Sequence, residues 1–175
     1  MVDFLDLIQN TRINKLFSVP PVGLGLTQFP TLSDWDISSL ELSLFGAAPL
    51  SPELQIKISE VLKCCVIQGY GMTETSPLTN ADFSETGFTK PGSIGPATAD
   101  TEQKIVDVDD PHLILPADTP GELMIRGPQV MLGYYNNLEA TSETLTEDGW
   151  IHTGDIASMD SEGYVWILDL SLIHI

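Results

Sequence analysis

A chain of 175 residues with 25 Asp and Glu against 7 Lys and Arg carries a formal charge of −18, which excludes direct binding to nucleic acid or an anionic membrane, since both demand a basic surface. The length and a hydrophobic fraction of 42% suit one domain, or two small ones, with a real core. The acidity reads first as a solubility feature.

Phe4, Leu5, Leu7, Ile8 and Ile13, with acids between them, predict an amphipathic helix over residues 2–13. No basic segment precedes a long hydrophobic one, so no signal peptide is visible, and no run is long enough for a transmembrane segment. Met1 is either a true start or the first methionine of an incomplete reading frame. Residues 15–19 read as a strand stopped by Pro20-Pro21, and residues 22–29 as a helix weakened by Gly23 and Gly25. Leu40 to Phe45 is a second strand, ending in Gly46-Ala47-Ala48-Pro49. Ser51-Pro52-Glu53 then opens a helix with a hydroxyl cap, a proline at the first helical position and an acid in the first turn.

Leu54, Ile58, Val61 and Leu62 give that helix one buried face, and Cys64-Cys65-Val66-Ile67 follows as a short buried strand. The adjacent cysteines are poorly placed for a disulfide or for metal ligation. They read as reduced core residues in a reducing compartment. Strand, helix, strand makes a βαβ unit with parallel strands and a right-handed crossover. Both strand exits, Gly46 to Pro49 and Gln68 to Glu74, should then face one crevice. Past residue 80 the pattern shifts to strands at 103–108, 122–126, 149–152 and 164–168, with one helix at 138–145. This predicts a small antiparallel sheet or open barrel. The fold class is therefore α/β: the end of a doubly wound parallel-sheet subdomain over residues 1–88, then a small antiparallel β-barrel subdomain over 89–169, with 170–175 as an aberrant tail.

Small residues at 46–48 leave room for a flat ligand against backbone, and Tyr70 offers a face for an aromatic ring such as a purine. Thr73 supplies a hydroxyl for an anionic oxygen, Glu74 a carboxylate for Mg²⁺, and Asp155 a carboxylate able to accept from a diol. Each has a plainer reading: Gly46 to Pro49 as a strand-to-helix turn, Thr73-Glu74 as a helix start, Thr153-Gly154-Asp155 as a turn, His152 as a half-buried strand residue. A Ser-His-Asp arrangement lacks a nucleophile elbow, and neither Gly-x-Gly-x-x-Gly nor a P-loop is present.

Four segments in this order resemble the adenylate-forming enzymes, a family that includes acyl-CoA synthetases, 4-coumarate-CoA ligases and beetle luciferases. Gly46-Ala47-Ala48-Pro49-Leu50 resembles that family's adenine and acyl-pocket segment. Gln68-Gly69-Tyr70-Gly71-Met72-Thr73-Glu74 resembles its core motif. Gly121 to Pro128 with Gly133 to Asn137, and Gly149 to Asp155, resemble the next two. The resemblance implies that Tyr70 stacks on adenine, that Ala47, Gln68 and Gly69 line the adenine and acyl pocket with Gly46, Ala48, Pro49, Gly71 and Met72 around them, and that Asp155 binds the ribose. It makes Thr73, on the α-phosphate, and Glu74, holding Mg²⁺, the candidate catalytic residues.

The implied substrates are a small-molecule carboxylic acid, ATP and CoA, with acyl-AMP between them. The family's Ser/Thr-Gly-Lys phosphate loop and its C-terminal lysine are not among these residues, and Leu170 stands where the family has Arg. The expectation is an incomplete, inactive portion of such a ligase. The alternative is a non-catalytic acidic domain, of the same scaffold, that binds nucleotide or protein.

Overall fold

A computed structural model describes residues 1–83 and 90–169. The chain divides into two compact units, Met1–Gly69 with Asp82–Gly92 and Tyr70–Ala81 with Ser93–Ile175.

In the first unit, α1 (Val2–Thr11) buries Leu5 and Ile8 and ends at Arg12, whose backbone is left-handed. Strand β1 (Lys15–Ser18) follows. The two prolines do more than stop β1: they open α2 (Pro20–Thr27), which therefore starts two residues before the expected position. A first helical turn has no use for its N–H groups, and proline is pre-set for that turn. Strand β2 (Leu42–Phe45) pairs in parallel with β1, and β3 (Cys65–Gly71) in parallel with β2. The intervening α3 (Pro52–Leu62) is capped as its sequence predicts, Ser51 Oγ accepting from Leu54 N–H at 3.3 Å. Leu5, Ile8, Leu16, Leu26, Phe45 and Ile58 share one core. Both thiols are free, Cys64 within that core and Cys65 half-buried, and burial pushes their pKa values up. They stay protonated and unreactive.

Strand β3 does not stop at Ile67. It runs on through Gln68, Gly69, Tyr70 and Gly71, so this stretch is strand and not the loop beyond one. Gly71 belongs to the reason: a Cβ there would lie 1.6 Å from the Pro77 carbonyl oxygen, so only glycine lets the returning chain pass so close.

In the second unit β4 (Leu78–Ala81) was not anticipated; it is four residues long and follows a single turn of 3₁₀ helix at Thr73–Thr75. Strands β5 (Glu102–Val106), β6 (Gly121–Arg126), β7 (Ile151–Met159) and β8 (Val165–Asp169) form an antiparallel sheet in that order. The sheet is open, with β5 and β8 at its edges among the described residues. Alternation along β6 sends Leu123 and Ile125 into one core with Ile105, Ile151 and Val165, and Met124 to the other face with Val106 and Trp150. Helix α4 (Leu138–Thr144) is capped by Asn137, whose side chain accepts from Ala140 N–H at 3.1 Å.

Thr153-Gly154-Asp155 lies inside β7 and not in a turn. Met124 pairs with His152 and Glu122 with Ile156, so these three residues stand opposite Leu123 alone. Such a bulge re-aims the side chains it carries. Among the described residues no helix is long and apolar enough to cross a membrane.

Candidate functional site

In the first unit the candidate residues sit on the segment leaving β2 and on β3. Ala47, Ala48 and Pro49 are exposed and Gly46 is half-buried. Ala47 takes a left-handed backbone at φ 66°, which turns the chain sharply after Gly46. Gly46 N–H is tied to the Ser18 carbonyl at 3.2 Å.

The side chain of Gln68 is buried and fully engaged. Its Oε1 accepts from Leu50 N–H at 3.0 Å, and its Nε2 donates to the Leu50 carbonyl and to Gln55 Oε1, both at 3.1 Å. Gln55, also buried, donates to the Val66 carbonyl at 2.8 Å and accepts from Gly92 N–H at 2.9 Å. Gln68 thus fastens the end of the 46–50 segment to β3, and its amide is spent on protein. What remains for a ligand is the exposed backbone and the small side chains of residues 47–49, with half-buried Gly69 nearby.

In the second unit the half-buried Tyr70 donates its phenolic hydrogen to Asp155 Oδ2. Burial first, and the Asp155 carboxylate second, push the phenol pKa far above its ordinary value. Met72 packs against the sheet's core, and Thr73 is exposed at the start of the 3₁₀ turn. That turn is knitted by the buried Thr75, whose hydroxyl accepts from Met72 N–H at 3.1 Å and lies 3.0 and 2.9 Å from the Met72 and Pro77 carbonyls.

Glu74 is half-buried and held at two points. Tyr134 donates to its Oε1 at 2.9 Å, and its carbonyl accepts from Met131 N–H at 2.7 Å. Tyr134's own pKa is raised, by burial and then by this carboxylate. Met131 and Tyr134 therefore fix the carboxylate proposed for a cation, a role that the motif resemblance of residues 133–137 did not assign.

The bulge in β7 has its own supports. Glu122, with a side chain only 14% exposed, places Oε2 2.9 Å from His152 Nδ1 and accepts from Gly154 N–H through Oε1 at 3.1 Å. Thr153 Oγ1 donates to the Leu123 carbonyl at 2.7 Å and accepts from Asp155 N–H at 3.1 Å. His152 is thus the half-buried strand residue of the plainer reading, with a carboxylate partner. His112 is exposed in a turn, and His174 lies outside the described residues.

The second unit thus joins an aromatic ring to a carboxylate 85 positions away, and a second carboxylate to a phenol 60 positions away. Among the described residues no group of three His, Cys, Asp or Glu side chains could cage a metal. One carboxylate does fit Mg²⁺ bound mainly by phosphate oxygens and water, which is that ion's preference.

The family model described as AMP-binding enzyme matches residues 1–135. The chain is 41% identical over 172 residues to 4-coumarate–CoA ligase 3 of Arabidopsis thaliana, an alignment covering 94% of this chain and 30% of that protein. Among solved structures, ATP-bound MatB from Rhodopseudomonas palustris superposes with a TM-score of 0.88 at 31% identity, over 96% of this chain and 32% of that one. The anthranilate CoA ligase AuaEII in complex with anthranoyl-AMP superposes with a TM-score of 0.84 at 25% identity, over 95% and 31%. The chain spans about 30% of the length of the curated relatives it matches. With the family model covering well over half of its residues, the chain belongs to the AMP-binding enzyme family.

Proposed function

We propose that these residues supply nucleoside-binding walls of an ATP-dependent acid–thiol ligase. In that reaction a carboxylate oxygen attacks the α-phosphorus of ATP, the bond to the β-phosphate oxygen breaks and pyrophosphate leaves. A thiol, that of CoA, then attacks the acyl carbon of the acyl-AMP and AMP departs. The proposed acid is aromatic, a class supported by the names of the 4-coumarate–CoA ligases and of the anthranilate ligase.

The observation that carries the reading is the hydrogen bond between Tyr70 and Asp155. A ring for the base and a carboxylate for the ribose diol must be neighbours if they serve one nucleoside, and the two side chains touch. Tyr70 offers its face to adenine, Asp155 accepts from the ribose hydroxyls, and the exposed Thr73 hydroxyl donates to the α-phosphate. Glu74, oriented by Tyr134, offers an oxygen to Mg²⁺, which when bound neutralises phosphate charge. In the first unit Ala47, Ala48, Pro49 and Gly69 are proposed as apolar and backbone wall, with Gln68 fastening the 46–50 segment to β3. In the second unit Gly71 and Met72 are proposed in the same role beside Tyr70. Free, protonated Cys64 and Cys65 support a reducing, intracellular setting, cytoplasmic or peroxisomal.

The test is calorimetric titration of the 175-residue chain with a coumaroyl sulfamoyl-adenosine, a stable mimic of acyl-AMP. Saturable binding that weakens about tenfold or more in Asp155→Asn and in Tyr70→Ala is expected, the scale of a lost hydrogen bond to a charged group or a lost ring contact. Equal binding by all three proteins would overturn the reading.

A further inference from the structure

The bulge in β7 that carries Asp155 has an unusual construction. Gly154 sits at φ 72°, in the left-handed region, with its N–H turned to the carboxylate of Glu122 on the neighbouring strand. Glu122 is only 14% exposed in its side chain and flanked on its other oxygen by His152. A carboxylate so far removed from water is costly unless each oxygen finds a donor, and here both are met. The donors lie on either side of the bulge's first residue, at positions 152 and 154. Thr153 ties the same segment to Leu123 and to Asp155 N–H. The bulge is therefore pinned from β6, and it brings the Asp155 carboxylate to the Tyr70 hydroxyl, with the Thr153 side chain beside the same phenol.

We infer that Glu122, steadied by His152, is the positioning residue for Asp155: by holding Gly154 N–H it keeps the bulge in the form that brings the Asp155 carboxylate to Tyr70 and to a ribose diol. The ribose part of this inference rests on the nucleotide reading above. The Tyr70 part stands on geometry alone. Glu122 itself touches no ligand, and its removal should loosen Asp155 while leaving the ring of Tyr70 in place for a base.

Two readouts on the 175-residue chain separate these parts. The first is the Tyr70 ring Cζ resonance in protein labelled with ¹³C at the tyrosine Cζ, assigned with Tyr70→Phe. Glu122→Ala should move it in the same direction as Asp155→Ala while the resonance of Tyr164 stays put. A Tyr70 resonance that remains at the wild-type position overturns the inference. If Glu122→Ala does not fold, Glu122→Asp replaces it, because it keeps the charge yet withdraws the carboxylate from Gly154, and the same movement is expected. The second readout is the ratio of affinities for AMP and 2′,3′-dideoxy-AMP. In the intact chain the preference for AMP should be about tenfold or more, and in Glu122→Ala it should fall towards unity with the dideoxy affinity unchanged. A structural loss alone would weaken both ligands together and would overturn the positioning role. An intact chain with no preference sinks the nucleotide reading, and the Tyr70 resonance still decides the role of Glu122.

Discussion

Tyr70 donates its phenolic hydrogen to Asp155, a carboxylate 85 positions further along the chain. The phenol's pKa is raised by burial and by that carboxylate, so the folded chain keeps a proton that the unfolded chain releases above the ordinary phenol value of about 10. More protons are bound in the native state than in the unfolded one across that window, and stability must fall as pH rises through it, by about 1.4 kcal/mol per pH unit for one such group. Below the ordinary value the contribution is fully present. Tyr70→Phe should accordingly be less stable than the parent near neutral pH, by about 1–3 kcal/mol for the lost hydrogen bond to a charged group. The two denaturant midpoints should converge as pH climbs past 10. Parallel curves across that range would show that Tyr70 holds no extra proton.

Gln68 makes a different prediction. Its amide meets both the N–H and the carbonyl of Leu50, and it is only 5% exposed. Gln68→Leu preserves the volume and strands both Leu50 groups in the interior, so a loss of about 2–4 kcal/mol is expected. Urea denaturation measures it. A loss below about 1 kcal/mol would mean that water replaces the amide and that the 46–50 segment is fastened by something else.

The two glycines of the site segments should differ. A Cβ on Gly71 would stand 1.6 Å from the Pro77 carbonyl oxygen, whereas one on Gly46 would stand 3.3 Å from the Gly69 carbonyl oxygen. Backbone cannot give way by that much at Gly71. Gly71→Ala should therefore cost about 3 kcal/mol or more, at or beyond the upper end of overpacking, and Gly46→Ala about 1 kcal/mol. Thermal melts of the two variants give the order, and equal melting points would contradict it.

These contrasts also mark how far the amino-acid order could be read. Ser51-Pro52-Glu53 announces α3, and the strand-helix-strand order announces parallel pairing of β2 with β3, because capping and hydrophobic period are local signals. The continuation of β3 through Gln68, Gly69, Tyr70 and Gly71 was illegible, since two glycines and an amide carry no strand propensity and are held extended by contacts from Leu50 and Pro77. Thr153-Gly154-Asp155 looks like a turn by composition and becomes a bulge only because Glu122 and Leu123 pair across it. The same holds for function. Tyr70, Glu74 and Asp155 could be picked out as candidates from motif resemblance, and Glu122 and Tyr134 lie in segments that the same resemblance covers, but their orienting roles come only from contacts with Gly154, His152 and Glu74 far along the chain. The resemblance puts Gln68 in the ligand pocket, whereas its amide is engaged by Leu50 and Gln55, partners that no local pattern announces.

Tyr134 provides the last test, because it separates the cation from the nucleoside. Its hydroxyl donates to Glu74 Oε1 at 2.9 Å, while Asp155 sits with Tyr70. Removing that hydroxyl leaves the Glu74 carboxylate free to rotate, and orienting partners of metal-binding side chains typically contribute tenfold or more to metal affinity. In Tyr134→Phe the Mg²⁺ concentration needed for half-maximal ATP binding should rise about tenfold, with AMP affinity in the absence of Mg²⁺ unchanged. Asp155→Asn should do the reverse, lowering AMP affinity and leaving the Mg²⁺ midpoint where it was. Fluorescence titration with Mg²⁺ at fixed nucleotide distinguishes the two. An unmoved midpoint in Tyr134→Phe would mean that Glu74 needs no orienting partner, and an unmoved midpoint in Glu74→Gln would remove Glu74 from the cation site altogether.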